Sequence, residues 1–329
     1  MRALSLFSGG LDSQLAVKII QEQGIEVIGL HFTTPFFGGS REISKAASDL
    51  GIEFREIDIS EDYIPRVLLN PVYGYGKNFN PCIDCHAYML NWAGKLMKEY
   101  EASFIITGEV VGQRPMSQNR SALNAVDKLS GYKGLVLRPL SARLLEESIP
   151  EKEGWVDREQ LLDINGRGRI RQMELAEKYQ LKDYPSPGGG CLLTEVNFAR
   201  RLRHLLKYVS APSPREMQVL RLGRHFYLRD GVLLVVGRNK SENERLANLN
   251  MDDDVLLKVA DRPGPLALIR AMHNNLKPED LKLAASIVAR YSDAKNEKQA
   301  RIKVFSEKND SMDIMLIKPL AAEEVPASV

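Results

Sequence analysis

Two groups of residues in this 329-residue chain have types and spacings suited to chemistry. The first is Ser8-Gly9-Gly10-Leu11-Asp12-Ser13, set between an apolar run and a helical repeat. A helix beginning there offers unpaired N–H groups and a positive dipole end to an anion. Two consecutive glycines let the backbone approach phosphate oxygens closely, and the hydroxyls of Ser8 and Ser13 add hydrogen bonds. Asp12, itself an anion, would act through a Mg²⁺ ion that bridges it to the phosphates. The alternative is a plain Gly-Gly turn in which Asp12 and Ser13 cap the helix. No lysine follows the glycines, so this is not the GxxxxGKS/T loop, and the GxGxxG fingerprint is absent.

The second group is the cysteines, of which the chain has three. Cys82 and Cys85 lie in Asn80-Pro81-Cys82-Ile83-Asp84-Cys85-His86, opening a helix whose apolar face continues at Met89, Trp92, Ala93 and Leu96. Cys191 closes Gly188-Gly189-Gly190. A thiolate is stabilised at a helix N-terminus, which suits a nucleophile or a metal ligand. An odd count without a signal-like segment argues against a secreted disulfide framework. Four chemistries fit the pattern. Covalent haem attachment matches Cys-x-x-Cys-His but needs an exported protein. Structural zinc would draw on Cys82, Cys85, Cys191 and His86. Persulfide chemistry ending in a disulfide, for example Cys85 with Cys191, needs no metal. A [4Fe–4S] cluster on three thiolates would leave one iron open to an exogenous ligand such as hydrosulfide.

Both groups need a scaffold, and the apolar pattern supplies an α/β one. Strands are expected over 3–7, 26–32, 54–59, 104–107 and 135–140, with helices between them at Leu11, Leu15, Ile19, Ile20 and at Ile43, Ala46, Ala47, Leu50. That alternation predicts a doubly wound parallel sheet, with ligands at the carboxyl ends of strands, after Phe7, Phe32 and Thr107. The Pro/Gly-rich stretch Tyr184–Cys191 interrupts the pattern. Ala211-Pro212-Ser213-Pro214 reads as a linker, and beyond it Asp230-Gly231 marks a hairpin in a smaller α+β domain. The expected domains are 1–210 and 215–320, with a flexible tail over 321–329. No run of about 18 apolar residues suggests a membrane span, and the expected location is the cytoplasm.

Overall charge is uninformative, because 45 Lys+Arg against 43 Asp+Glu leaves +2. Locally, Phe198 to Arg229 holds eight cations, Arg200, Arg201, Arg203, Lys207, Arg215, Arg221, Arg224 and Arg229, against the single acid Glu216. Such an excess is what phosphate contacts of an RNA require, although a solvated helix face gives the same count. Arg167, Arg169 and Arg171 form a second strip.

Ser-Gly-Gly-Leu-Asp-Ser after a first parallel strand resembles the PP-loop of the ATP pyrophosphatase superfamily. The resemblance implies binding of ATP with Mg²⁺, with the adenine against backbone at Leu30, His31 and Phe32. Thr107-Gly108-Glu109-Val110-Val111-Gly112-Gln113-Arg114-Pro115-Met116-Ser117-Gln118 is similar to the loop bordering the nucleotide in tRNA 4-thiouridine synthetases, which gives Thr107, Gly108 and Gln113 a place there. Asn-Pro-Cys and Gly-Gly-Gly-Cys-Leu-Leu-Thr on this scaffold resemble tRNA thiouridine synthases, including 2-thiouridylases. A trio of cysteines resembles the cluster-dependent members. Residues from about Arg215 to Leu320 resemble the NFACT-type RNA-binding domain.

Together these resemblances imply an ATP-dependent tRNA sulfurtransferase in which Asp12, Cys85 and Cys191 are catalytic. Cys82, Cys85 and Cys191 would hold a [4Fe–4S] cluster, with zinc or metal-free persulfide chemistry as alternatives. Arg200, Arg201, Arg203, Lys207 and Arg224 would bind tRNA, sulfur would come from sulfide, a cysteine desulfurase or a sulfur carrier, and a homodimer is compatible. One departure matters: 4-thiouridine synthetases place a THUMP region before the PP-loop, whereas here the first strand begins at residue 3, so the modified uridine does not carry over. Two rivals are an amide-forming ligase on the same scaffold and a non-catalytic RNA-binding or redox-sensing protein.

Overall fold

The computed structural model describes every residue except 40, 186–189, 273–274 and 307–310. The chain divides into two units, Met1–Thr194 and Glu195–Val329.

In the first unit the order is β1 (Arg2–Leu6), α1 (Leu11–Gln21), β2 (Glu26–Thr33), α2 (Arg41–Asp49), β3 (Glu53–Asp58), α3 (Ser60–Tyr63), α4 (Cys82–Leu96), β4 (Phe104–Thr107), α5 (Arg120–Ser130), β5 (Val136–Leu137), α6 (Ile149–Lys152) and α7 (Ile170–Lys178). The strands form a parallel sheet in the order β3-β2-β1-β4-β5, as the alternating pattern predicts. Strand order reverses beside β1, and Leu6 at its end is level with Leu30 of β2 and Thr107 of β4. The loops leaving β1 and β4 therefore start side by side at the switch point, where such sheets bind ligands. Leu11, Leu15, Ile19 and Ile20 bury the expected stripe of α1 against this sheet. Each such side chain contributes about 1.5–3 kcal/mol. The strand expected over 135–140 is only two residues long. Pro139 has no N–H for a ladder, and Arg138 turns inward to acidic partners described below.

The second unit begins with α8 (Val196–Leu205) and α9 (Pro214–Val219), followed by β6 (Arg224–Arg229), β7 (Val232–Val236), α10 (Lys240–Asn248), β8 (Val255–Val259), β9 (Leu266–Ala271), α11 (Pro278–Arg290), β10 (Ala300–Ser306) and β11 (Ser311–Ile317). An antiparallel sheet runs β11-β10-β8-β9-β7-β6. Asp230 and Gly231, with Gly231 at φ +73°, make the foreseen hairpin turn. β7 is buried on both faces: Val232, Leu234 and Val236 lie in the cluster with α11, and Leu233 and Val235 in the one with α9 and α10.

Three expectations change here. The division falls at Thr194/Glu195, so the basic helix α8 belongs to the second unit and not to the domain placed over 1–210. The supposed linker starts α9: Ser213 caps it, Glu216 completes the capping box and Pro214 occupies the first turn. The tail over 321–329 is tied down, because Val329 N–H donates to His225 O at 2.9 Å and Val329 O accepts from Arg201 Nε at 3.0 Å.

Candidate active site

No side chain caps α1, whose N-cap is Gly10 in extended conformation. The plain capping alternative is therefore absent: Ser13 Oγ donates to Gly10 O at 2.8 Å, and Asp12 points elsewhere. Asp12 Oδ2 accepts from Gln113 Nε2 at 3.0 Å, while its Oδ1 is buried without a partner among the described residues. A buried carboxylate oxygen left without a donor costs energy unless something positive meets it, so this atom fits a divalent cation. Gly9 sits at φ +71°, a region only glycine enters freely.

Gly108 is where the β4 loop meets this turn. A Cβ there would stand 2.5 Å from Ser13 N and 2.6 Å from Asp12 C, so only glycine permits the two backbones to touch. Thr107 is buried and bonds Glu109. Leu30 O accepts from Phe7 N at 2.9 Å. His31 is buried, with Nδ1 3.0 Å from Phe7 O and Nε2 accepting from Gly39 N at 3.4 Å. Those partners fit the neutral ring with its proton on Nδ1, and burial lowers its pKa. The side chains of His31 and Phe32 are thus packed inward, while Gly10 of the turn is part-exposed.

The cysteines come together from distant parts of the sequence. Cys82 is the first residue of α4 and Cys85 lies one turn on, facing inward beside the wholly buried Tyr63. Cys191 is held by its neighbours Leu193 and Thr194, with Leu192 N–H donating to Phe36 O at 3.0 Å. Residues 186–189 of the expected glycine loop lie outside the described residues. Cys85 feels the charges of Cys191 and Cys82, and Cys191 feels that of Cys82. Burial, then repulsion from Cys191 and Cys82, pushes the Cys85 thiol far up, and burial pushes Cys191 up to about 11. The helix start does not make Cys85 a ready thiolate, as its sequence position suggested, because desolvation outweighs the dipole. Among the described residues, no three His, Cys, Asp or Glu side chains are placed to hold a single metal ion.

One loop touches both places. Gly108 and Gln113 contact Asp12 and Ser13, while Glu109 Oε1 lies 2.6 Å from His86 Nδ1, directly after Cys85. Farther along, Arg114 acts electrostatically on Cys191, and Asn80 Nδ2 lies 3.3 Å from Met116 Sδ and 3.1 Å from Cys82 Sγ. Sequence reasoning missed the buried chain that fixes this loop. Arg138 Nε donates to Glu109 Oε2 at 2.9 Å, and its two terminal nitrogens grip Asp127 at 2.7 and 2.9 Å. Burial would raise the Glu109 carboxyl, but Arg138 and His86 outweigh it and hold it at about 2. The signal was a lone arginine inside the apolar run Leu135-Val136-Leu137-Arg138-Pro139-Leu140, a residue that must find acids if buried.

The cations expected to bind RNA separate into two kinds. Arg200 and Arg203 are exposed on α8, and Lys207 is exposed in the turn that follows it. Arg201 is not available to a ligand: its guanidinium donates to the carbonyls of Val329, Leu220 and Gly223 and staples the second unit together. Of the others, Arg229 is locked on Asp280 at 2.9–3.0 Å, and Arg224 lies over the Tyr291 ring, 4.8 Å from its centroid.

Residues 1–149 match the family described as the tRNA methyl transferase HUP domain, and residues 223–328 match the NFACT protein RNA binding domain. A tRNA sulfurtransferase of Desulfurococcus amylolyticus is 32% identical over 162 residues, 45% of this chain and 31% of that one. A tRNA-specific 2-thiouridylase of Fusobacterium nucleatum is 31% identical over 106 residues, 31% of this chain and 28% of that one. The chain therefore spans about a third of the length of these curated relatives. Among solved structures, a U34-tRNA thiolase of Methanococcus maripaludis with its [4Fe-4S] cluster is 16% identical with a TM-score of 0.33, covering 66% of this chain and 70% of that one. No helix among the described residues is long and apolar enough to cross a membrane.

Proposed function

We propose that this chain, which joins a PP-loop domain of the tRNA thiouridine synthase kind to an NFACT-type RNA-binding domain, is an ATP-dependent tRNA sulfurtransferase. The observation that carries the reading is the single loop Thr107–Gln118, whose Gly108 and Gln113 touch Asp12 of the PP-loop and whose Glu109 bonds His86 of the cysteine helix. A nucleotide-activating turn and a thiol cluster held by one loop suit a reaction that activates an oxygen and replaces it with sulfur.

In this mechanism the Gly9-Gly10 turn and the uncapped start of α1 hold the phosphates of ATP, with the adenine against backbone at Leu30–Phe32. Asp12 would hold Mg²⁺ through its unpartnered oxygen, and the ion would neutralise the departing pyrophosphate. The uridine carbonyl oxygen attacks the α-phosphorus and pyrophosphate leaves. A sulfur nucleophile then adds at the activated carbon, and AMP departs with the former oxygen. Positioning and charge supply most of the acceleration, since no side chain beside Asp12 stands out as a strong base.

Cys82, Cys85 and Cys191 would hold a [4Fe–4S] cluster, which with only three protein ligands would supply an open site able to carry sulfur. The raised pKa values of Cys85 and Cys191 favour the cluster over free persulfide chemistry, because a buried thiol without a cation is a poor nucleophile, whereas metal ligation deprotonates it. His86, bonded to Glu109, positions the helix that bears Cys82 and Cys85. Sulfide, a desulfurase or a carrier would supply the sulfur.

The test is anaerobic purification with iron and sulfide analysis, followed by incubation with tRNA, ATP, Mg²⁺ and sulfide and nucleoside mass spectrometry. About four irons per chain and ATP-dependent thiouridine are expected. Iron-free protein that still thiolates would overturn the cluster, and loaded protein that binds tRNA but never thiolates it would overturn the enzyme reading.

A further inference from the structure

The second unit has an open cleft of about 810 Å³ that lies apart from the basic face of α8 and is lined by Arg224, Arg238, Lys258, Arg262 and Tyr291, together with the acids Asp261 and Asp293. That volume is within the ~300–1,000 Å³ of small-ligand sites. Two glycines shape the walls: a Cβ at Gly237 would meet Asn243 Oδ1 at 2.1 Å, and one at Gly264 would meet Ser292 Cβ at 2.7 Å.

Its charges are not equivalent. Arg238 is spent on Glu242, Arg262 on Glu297 at 3.0 Å, and Asp261 on Arg301 at 3.2 Å. Arg224 and Lys258 form no ion pair among the described residues. Lys258 is exposed and stands directly opposite Lys303 in the β8–β10 ladder, a like-charge pair that costs stability until an anion comes between. Arg224 instead stacks on Tyr291, 4.8 Å from the ring centroid, and that ring is 37% exposed. The cleft thus offers a flat aromatic and guanidinium face together with unpaired cations, Arg224 and Lys258, that outnumber the one unpaired acid among the described residues of its lining, Asp293.

We infer that this cleft is where the second unit captures RNA, taking an unpaired nucleotide whose base stacks on Tyr291 and Arg224 while Lys258 and Lys303 meet its phosphates. A base paired within a duplex cannot present its face to that platform, so loops and single-stranded ends are the fitting class. The inference rests on the proposed tRNA function for its setting and sharpens it, because it moves the recognition of RNA from a charged helix surface to a nucleotide site.

The experiment is fluorescence anisotropy of the full chain with a labelled single-stranded RNA octamer and with the same octamer annealed to its complement. The octamer should bind more tightly than the duplex, and Tyr291→Ala should weaken it by roughly tenfold or more, with Tyr291→Phe close to wild type. Lys258→Ala, at an exposed position, should weaken binding about threefold or more and lower its salt dependence, whereas Lys282→Ala on the exposed side of α11 should not. Equal affinity for duplex and single strand, or unchanged binding in both Tyr291→Ala and Lys258→Ala, would overturn the inference. Thiouridine formation is scored separately on the same preparations. Loss of octamer binding in a protein that never thiolates upholds the cleft and refutes the enzyme, while thiolation with binding indifferent to these variants does the reverse.

Discussion

Gln113 reaches from the β4 loop to Asp12, 101 positions earlier, and occupies one oxygen of its carboxylate at 3.0 Å while the other stays buried and unpartnered. The glutamine fixes the rotation of the group and leaves one lone-pair face for a cation. Asp12→Asn keeps the shape and removes the charge. It should lower ATP-dependent pyrophosphate release roughly 100-fold or more with little change in melting temperature. Gln113→Leu should have a smaller effect, shown mainly as a raised Mg²⁺ requirement. Pyrophosphate release across a Mg²⁺ titration checks both, and an Asp12→Asn protein of normal activity would remove Asp12 from the chemistry.

Much of this arrangement was legible in the sequence, for identifiable reasons. The Ser8–Ser13 turn is local: its glycines, its position after β1 and the start of α1 follow from neighbouring residues. The Cys82–Cys85 spacing is equally local, and rarity marked Cys191 as its partner. The Glu109–Arg138–Asp127 chain was illegible because its members come from three separate loops and helices, and no periodicity registers such pairings. Arg201 was misjudged for a related reason. A count of charges records a cation but not whether three carbonyls already hold it. β8 and β9 were missed as well; each is a short apolar run, and their pairing depends on neighbours far along the chain.

Glu109 gives the first unit a specific acid sensitivity. Its carboxyl is held at about 2 in the fold against 4.5 ordinarily, so the folded state favours the charged form. The resulting stability is fully present above the unfolded value and is lost as pH falls from about 4.5 toward 2. Glu109→Gln should abolish that component and, by leaving Arg138 short of a partner, destabilise the unit by about 3–5 kcal/mol at neutral pH. Urea unfolding at pH 7 and pH 3 measures this, and a variant whose stability fell as steeply with acid as wild type would place the titration elsewhere.

Cys191 should behave as a poorly reactive thiol in protein freed of metal. With its pKa pushed up to about 11 by burial, its thiolate fraction at pH 8 is roughly 100-fold below that of a thiol at 9. Iodoacetamide labelling followed by peptide mass spectrometry should show slow modification that accelerates about tenfold per pH unit up to that value. Rapid labelling at pH 7 would mean that a cation stabilises the thiolate, and would shift the balance toward persulfide chemistry.

Arg201 distinguishes a charge that builds the fold from one that serves a ligand. It donates to the carbonyls of Leu220, Gly223 and Val329 at 2.9, 3.2 and 3.0 Å, and burial, aided by the cations Arg238 and Arg200, lowers its pKa. Those bonds join α8, the α9–β6 turn and the chain end, so Arg201→Ala leaves three carbonyls short of a donor and should cost roughly 2–4 kcal/mol. Arg200→Ala, on the exposed side of the same helix, should change stability by less than about 0.5 kcal/mol. Thermal melting separates the two, and any RNA-binding loss in Arg201→Ala should then follow unfolding, disappearing at temperatures where the variant is still folded. A variant that melts like wild type yet binds RNA weakly would return Arg201 to the ligand surface.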